Sequence, residues 1–98
     1  DGIYTTLIMG NFALQDYEQV EKTFRRFKKT GKNKVLNEEN DLTIQGFYYA
    51  AKFVESKKAQ YAKKFAKVMD ETAQKEGLKS TTKKLQEIAT FFSISSDK

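Results

Sequence analysis

The feature that most restricts how this chain can fold is the spacing of large apolar residues in two neighbouring segments. Tyr17, Val20, Phe24 and Phe27 follow one another at intervals of three, four and three residues, which places their side chains on one face of an α-helix. A second set with helical spacing precedes it and consists of Tyr4, Leu7, Ile8 and Phe12. Together the two sets predict a helical hairpin, the unit from which helical repeat proteins are built.

Local signals mark where the second helix of this hairpin begins and ends. Asp16 and Gln19 have the spacing of a capping box, in which the two side chains satisfy unpaired backbone donors at a helix start. Gly31 suits the left-handed conformation that ends a helix. The second helix is therefore predicted to begin at Asp16 and to end at Gly31.

With these elements in place, the first third of the chain resembles a pentatricopeptide repeat, a helical hairpin of about 35 residues. The resemblance covers roughly residues 1 to 35 and lies in Tyr4-Thr5-Thr6-Leu7-Ile8, Gly10, Phe24 and Gly31. Val20 departs from the pattern, which has a small residue there, and Lys34 stands where the family has proline. The tetratricopeptide repeat is the near relative, but it expects glycine in place of Ile8 and alanine in place of Phe27.

The resemblance implies an RNA-binding function. In the family, the first helices line a concave RNA-binding surface, and two positions of each repeat select the base. These positions correspond here to Thr5 and Val35, although Val35 replaces the usual Asn, Asp or Ser and cannot hydrogen-bond a base edge. The resemblance also implies an intracellular location, in mitochondria or plastids.

Composition narrows the function classes. The chain has 98 residues, a net charge of +5 and a pI near 9.4, which is compatible with one small domain and with an anionic partner. It contains neither histidine nor cysteine, the commonest general base and a frequent nucleophile and metal ligand. We therefore expect no enzyme, no cofactor, no metal and no small-molecule substrate. No segment has the apolar length of a membrane span.

The rest of the chain predicts three further helices. The third extends from about 41 to 55 behind helix-start acids, and Ser56 caps a fourth that Gly77 ends. A fifth begins at Ser80 or Thr81 and continues to Phe92. The predicted fold is all-α: a single domain over 1–98, with antiparallel hairpins at 1–35 and 42–77, a linker at 36–41 and a final helix at 80–92, stacked as a short right-handed solenoid. The start at Asp1 is compatible with a processed protein or with a piece of a longer array.

Cations are concentrated on the second helix and just beyond it. Seven occur between positions 22 and 34 without one carboxylate, and the six from Arg25 onward are Arg25, Arg26, Lys28, Lys29, Lys32 and Lys34. Such a cluster either contacts phosphates or forms a solvated outer face. A second cluster consists of Lys57, Lys58, Lys63, Lys64 and Lys67, where we expect the interleaved Tyr61 and Phe65 to be core residues.

A protein adaptor similar to the tetratricopeptide kind is the alternative function. It would hold a peptide or a partner helix on the concave first-helix face, with Asn11, Gln15, Gln45, Tyr49 and Lys52 as the partner-binding residues. The aromatic set Phe47, Tyr48, Tyr49 and Phe53 contains three successive rings that cannot all point inward, so we expect at least one ring to be exposed or to lie at a partner surface. We also expect Gly10 to allow close packing between the first helices of the two hairpins.

Overall fold

The computed structural model describes residues 2–31 and 38–94, and within these ranges the chain is all-helical, which confirms the predicted all-α class. Five α-helices follow one another. They are α1 (Gly2–Ala13), α2 (Tyr17–Gly31), α3 (Glu38–Ser56), α4 (Ala59–Ala73) and α5 (Lys79–Phe92), and a single 3-10 turn (Glu76–Leu78) precedes α5. Lys32, Lys34 and Val35 lie outside the described residues.

The central helix is α3, which packs against α1, α2, α4 and α5, while α1 also packs against α2 and α4 against α5. Three residues separate α1 from α2 and two separate α3 from α4, so each pair forms a tight hairpin. Lys52 on α3 reaches both Glu21 on α2, at 3.0 Å, and the ring of Tyr61 on α4, at 5.5 Å. The second helices of the two hairpins therefore lie on one side of α3. We call this side the outer face.

Backbone hydrogen bonds explain how α1 passes directly into α2. The N–H groups of Gln15 and Asp16 donate to the carbonyl oxygens of Phe12 (2.9 Å) and Asn11 (2.9 Å), respectively, the pair of bonds that defines a Schellman motif. Asp16 then caps α2 from the position before Tyr17, because its carboxylate accepts the N–H of Gln19 at 3.3 Å and its carbonyl accepts the N–H of Val20 at 3.1 Å. The predicted helix start at Asp16 is confirmed.

Three boundary predictions are corrected. α3 begins at Glu38, so its first turn includes residues assigned to the linker, where carboxylates favour the positive end of the helix dipole. Ser56 does not cap α4; its hydroxyl donates to the carbonyl of Lys52 at 2.7 Å and accepts the N–H of Lys58 at 3.3 Å, while Lys58 is the N-cap. Gly77 does not end α4 but lies in the 3-10 turn, because α4 already stops at Ala73.

The core is rich in aromatic rings. Phe12 contacts the rings of Tyr17, Phe47 and Phe92 at centroid distances of 5.7, 5.3 and 5.3 Å, in the edge-on geometry that aromatic pairs favour. Because these rings belong to different helices, Phe12 links α1 to α2, α3 and α5. Phe24 is buried as predicted.

The two glycines inside helices have opposite surroundings. A Cβ atom on Gly46 of α3 would lie 2.7 Å from a methyl carbon of the buried Leu85 on α5, closer than side-chain atoms can approach. For Gly10 of α1, no described atom outside the neighbouring backbone of the same helix lies within 4 Å of that position. The prediction that Gly10 allows close helix packing is therefore wrong, and the close approach occurs at Gly46, between α3 and α5.

Candidate functional site

An apolar groove lies between α1 and α5, with α3 at its base. Its volume is about 410 Å³, and its lining residues are Met9, Phe12, Ala13, Phe47, Lys84, Glu87, Ile88, Phe91 and Phe92. We call it the α1–α5 groove. Four of the nine lining residues are phenylalanines, which gives the walls the predominantly apolar character that ligand pockets share.

Phe91 is the most unusual residue of this groove, because 78% of its surface is exposed. Its ring packs edge-on against Phe92 at 4.8 Å, and Phe92 in turn contacts Phe12 at 5.3 Å. The exposed ring is thus held against half-buried and buried rings rather than extending alone into water. Lys84 and Glu87 are the charged residues of the lining, and both are on α5.

The sequence contains a signal for this groove that the predictions above did not use. Phe91 and Phe92 are adjacent on a helix, and adjacent helical residues cannot both face the core. For the aromatic set Phe47, Tyr48, Tyr49 and Phe53, the exposed alternative is wrong, because none of the four rings is exposed, and the alternative of a ring at a partner surface stays a prediction. Phe47 is buried, Tyr48 stacks on Phe24 at 3.8 Å, and Tyr49 is half-buried with the Lys64 ammonium 5.7 Å from its ring centroid. The reason is that α3 is packed against four helices.

Thr5, one of the two predicted base-selecting residues, does not present its hydroxyl to solvent. The Thr5 Oγ1 atom is buried, and no described group forms a hydrogen bond with it. An atom in this position cannot contact a base edge unless the helix moves. The other predicted base-selecting residue, Val35, lies outside the described residues.

The basic segment of α2 is partly neutralised by carboxylates one turn earlier. Arg25 pairs with Glu21 at 3.4 Å, and Lys22 pairs with Glu18 at 3.7 Å. These (i, i+4) partners precede the cluster in the sequence, so a count of carboxylates inside the cluster does not include them. The remaining described cations of the cluster, Arg26, Lys28 and Lys29, are exposed, and Lys28 also lies 5.9 Å from the ring centroid of Phe24.

The second basic cluster is exposed on and just before α4. Its members are Lys57, Lys58, Lys63, Lys64 and Lys67. Phe65 is buried and Tyr61 is half-buried, so the interleaved rings belong to the packed interior. Because α2 and α4 lie on the same side of α3, both basic clusters contribute to the outer face.

The five residues predicted to hold a protein partner lie on α3 and at the end of α1. Tyr49 contacts Lys64 of α4, and Lys52 contacts Glu21 of α2, so both belong to the outer side of α3. Gln45, one turn before Tyr49 on the same side, donates to the Asp41 carboxylate at 3.1 Å. Gln15 is exposed and Asn11 is half-buried at the end of α1, beside the groove residue Ala13.

Burial and ion pairing shift the pKa of two groups on the outer side of α3. The hydrogen bond from Lys52 to Glu21 raises the pKa of the Lys52 ammonium above 10.5, against a smaller opposing effect of burial. Burial raises the pKa of the Tyr48 phenol above 10.0. Both shifts keep the Lys52 ammonium and the Tyr48 phenol protonated in the folded protein. Both groups contact α2, through Glu21 and Phe24 respectively, so they hold α2 against α3.

Metal-binding clusters and membrane-spanning helices are absent from the described part of the chain. No group of three or more acidic, histidine or cysteine side chains in residues 2–31 and 38–94 is placed to hold a metal ion. Of the helices in these ranges, none combines the length and the apolar character needed to cross a membrane.

Comparison with known proteins gives no match: no family model, no curated protein and no solved structure matches this chain. The resemblance to the pentatricopeptide repeat thus stays a prediction.

Proposed function

We propose that this protein is a non-catalytic binding module whose α1–α5 groove accepts apolar side chains from a helix or a peptide of a partner protein. The observation that carries the proposal is the groove itself, with four phenylalanines in its lining and one of them, Phe91, largely exposed. This function is the protein-adaptor function that was predicted above as the alternative to RNA binding. The contact surface differs from the expected one, because it is formed by apolar residues of α1 and α5.

The size and chemistry of the groove favour such a ligand. A volume of about 410 Å³ accommodates a few large apolar side chains. Burying one such side chain, such as Leu or Phe, stabilises a complex by about 1.5–3 kcal/mol. Phe91 would also lose its contact with water on binding, and rigid aromatic side chains are frequent anchors of protein interfaces. Lys84 and Glu87 on α5 offer one charge of each sign to polar groups of the ligand.

A displayed library of amphipathic peptides tests the proposal and does not require the natural partner. The library is selected on the whole protein and, in parallel, on the Phe91→Lys variant. Leu14→Lys is the matched control, because Leu14 is also 78% exposed and close to a helix C-terminus but does not line the groove. We expect enriched peptides with apolar residues at helical spacing that bind the parent and the Leu14→Lys variant, but not Phe91→Lys. Equal enrichment on Phe91→Lys would refute the groove as the binding site.

A second candidate function is supported by the outer face. Arg26, Lys28 and Lys29 on α2 and the lysines of α4 are exposed on two helices that both contact Lys52 of α3, and they could neutralise phosphates. We propose on this basis an RNA-associated scaffold of the pentatricopeptide type, in which the outer face contacts structured RNA. Because the Thr5 hydroxyl is buried, this proposal relies on phosphate contacts of the outer face and not on base selection by α1.

A salt titration with single-stranded and hairpin RNA probes tests this candidate. We expect binding at low salt that weakens steeply as salt is added, because phosphate contacts release counterions. Absence of measurable binding of either probe at low salt would contradict the RNA-associated function and would leave the groove proposal unaffected.

A further inference from the structure

Three large apolar residues are exposed along α1 and the turn that follows it, although the polar Thr6 is also exposed on this helix. Ile3, Leu7 and Leu14 are 65%, 43% and 78% exposed. Together with the exposed Gly10, they follow one another at intervals of four, three and four residues, which aligns them along one face of the helix. We call these four residues the α1 stripe. It lies on a different side of α1 from Met9, Phe12 and Ala13, which line the α1–α5 groove.

Charge distinguishes the α1 stripe from the rest of the surface. The helix GIYTTLIMGNFA contains no charged residue, whereas 32% of the residues in the chain are charged and the net charge is +5. Contact between two copies through the basic outer face would bring like charges together. The residues of α1 itself would bring no charges together.

The α1 stripe is also complementary to itself. Its spacing is the same in both directions, so two antiparallel copies about a twofold axis place Ile3 against Leu14 of the partner subunit. The same arrangement places Leu7 over Gly10 of the partner subunit, where no described atom outside the neighbouring backbone of the same helix lies within 4 Å of a potential Cβ atom. The contact between Leu7 and the open position at Gly10 therefore occurs twice, once in each direction across the twofold axis, as an isologous interface requires.

We propose that the α1 stripe is a self-association surface through which two copies of this chain form an antiparallel, twofold-symmetric dimer. The proposal is independent of the α1–α5 groove and of its ligand. A helix of 12 residues is only about 18 Å long, so the contact is smaller than the roughly 800 Å² per partner of a standard interface. We therefore expect weak association, with a dissociation constant in the micromolar range or above.

Sedimentation equilibrium over protein concentrations of roughly 10 µM to 1 mM tests the proposal, with Gly10→Leu as the first variant. Because the space beside Gly10 is open within the chain, this variant should fold, which a thermal melt verifies. It should nevertheless fail to dimerise, because the new side chain occupies the position of Leu7 of the partner subunit. We expect association at least tenfold weaker than that of the parent. A parent that stays monomeric, or a folded Gly10→Leu variant that dimerises like the parent, would overturn the proposal.

Two double variants test the antiparallel orientation. Ile3→Glu with Leu14→Lys creates opposite charges across both ends of an antiparallel dimer and complements the dipole of α1, so association should persist. Ile3→Lys with Leu14→Lys creates two like-charge contacts, so association should be lost. Equal behaviour of the two double variants would contradict the antiparallel contact. Phe91→Lys should leave the dimer unchanged, and loss of association in that variant would assign the interface to the groove instead.

Discussion

At the scale of single residues, the two glycines inside helices show what the sequence could not reveal. Gly10 and Gly46 both interrupt apolar patterns, yet only Gly46 lies against another helix, at Leu85. Spacing along the chain indicates which residues share a face. It does not indicate which faces approach closely enough to exclude a Cβ atom, since that depends on how α3 and α5 cross.

Substitution of Gly46 is therefore expected to destabilise the fold. Gly46→Val should lower the free energy of unfolding by about 1–3 kcal/mol, because its side chain would overlap the fully buried Leu85 and force α5 to shift. Gly10→Ala is the control and should raise stability by about 0.5–1 kcal/mol through helix propensity alone. Urea denaturation measures both. Similar effects of the two substitutions would show that α5 does not approach α3 at Gly46.

Residues in the left-handed conformation offer a second prediction at this scale. Ser93 has φ 56° and ψ 44° at the end of α5, where the N–H of Ile94 donates to the carbonyl of Ala89 at 2.9 Å. A residue with a Cβ atom has a steric penalty in this conformation, and glycine does not. Ser93→Gly should therefore increase stability by about 0.5–1 kcal/mol in a thermal melt. A decrease would mean that the Ser93 side chain forms a stabilising contact.

At the scale of helices, most of the fold could be predicted from apolar periodicity and capping signals. The hairpin of α1 and α2 follows from the spacing of Ile8, Phe12, Val20 and Phe24, all of which are buried. The wrong boundary predictions concern the connections between helices. Ser56 and Gly77, for example, have the right residue types for a cap and a helix end. Backbone hydrogen bonds in the two connections place these functions elsewhere.

The stacked pair of Phe24 and Tyr48 joins α2 to α3 with near-parallel rings, 3.8 Å apart and 8° from coplanar. Phe24 is 9% exposed. Its replacement by alanine should reduce the free energy of unfolding by about 3–5 kcal/mol through lost burial and cavity formation. A thermal melt is the measurement, and a shift in midpoint of only a degree or two would show that Phe24 contributes little to the core.

The ion pair between Lys52 and Glu21 joins the same two helices and gives the fold a dependence on alkaline pH. A group whose pKa is higher in the folded protein than in the unfolded chain stabilises the fold at pH values below its unfolded pKa, which is 10.5 for Lys52 and 10.0 for Tyr48. This stabilisation is lost as the pH rises through the pKa of the group in the folded protein. Stability should therefore decrease above about pH 10. Lys52→Met should show a smaller decrease in urea melts at about pH 7 and pH 11. An identical pH dependence of parent and variant would exclude a role for the ion pair.

At the scale of the whole molecule, the packing of four helices on α3 gives three surfaces that differ in chemistry. The outer face carries exposed cations of α2 and α4, the α1 stripe is apolar and exposed, and the α1–α5 groove opens beside α3. The basic clusters could be recognised from the sequence because charge is a local property. The groove could not be located, because it arises only when α1 and α5 are both packed on α3.

Salt dependence distinguishes these surfaces in solution. If the outer face binds RNA, Lys28→Glu with Lys29→Glu should weaken binding to all RNA sequences alike and should reduce the slope of log affinity against log salt by about one per lost contact. A Thr5→Val variant is the matched control and should leave that slope unchanged, since its hydroxyl is buried. Unchanged RNA affinity of the charge-reversed variant at about 0.1 M salt would show that the outer face does not contact RNA.

The most direct test of the α1–α5 groove as a binding site is the dissociation constant of a selected amphipathic peptide for the parent protein, the Phe91→Ala variant and the Leu14→Lys control. Because binding would bury the ring of Phe91, we expect the Phe91→Ala variant to bind roughly 10- to 100-fold more weakly than the parent. The Leu14→Lys control should bind within about twofold of the parent, since Leu14 lies outside the groove lining. Equal dissociation constants for the parent and Phe91→Ala would contradict the conclusion that the α1–α5 groove is where this protein binds its partner.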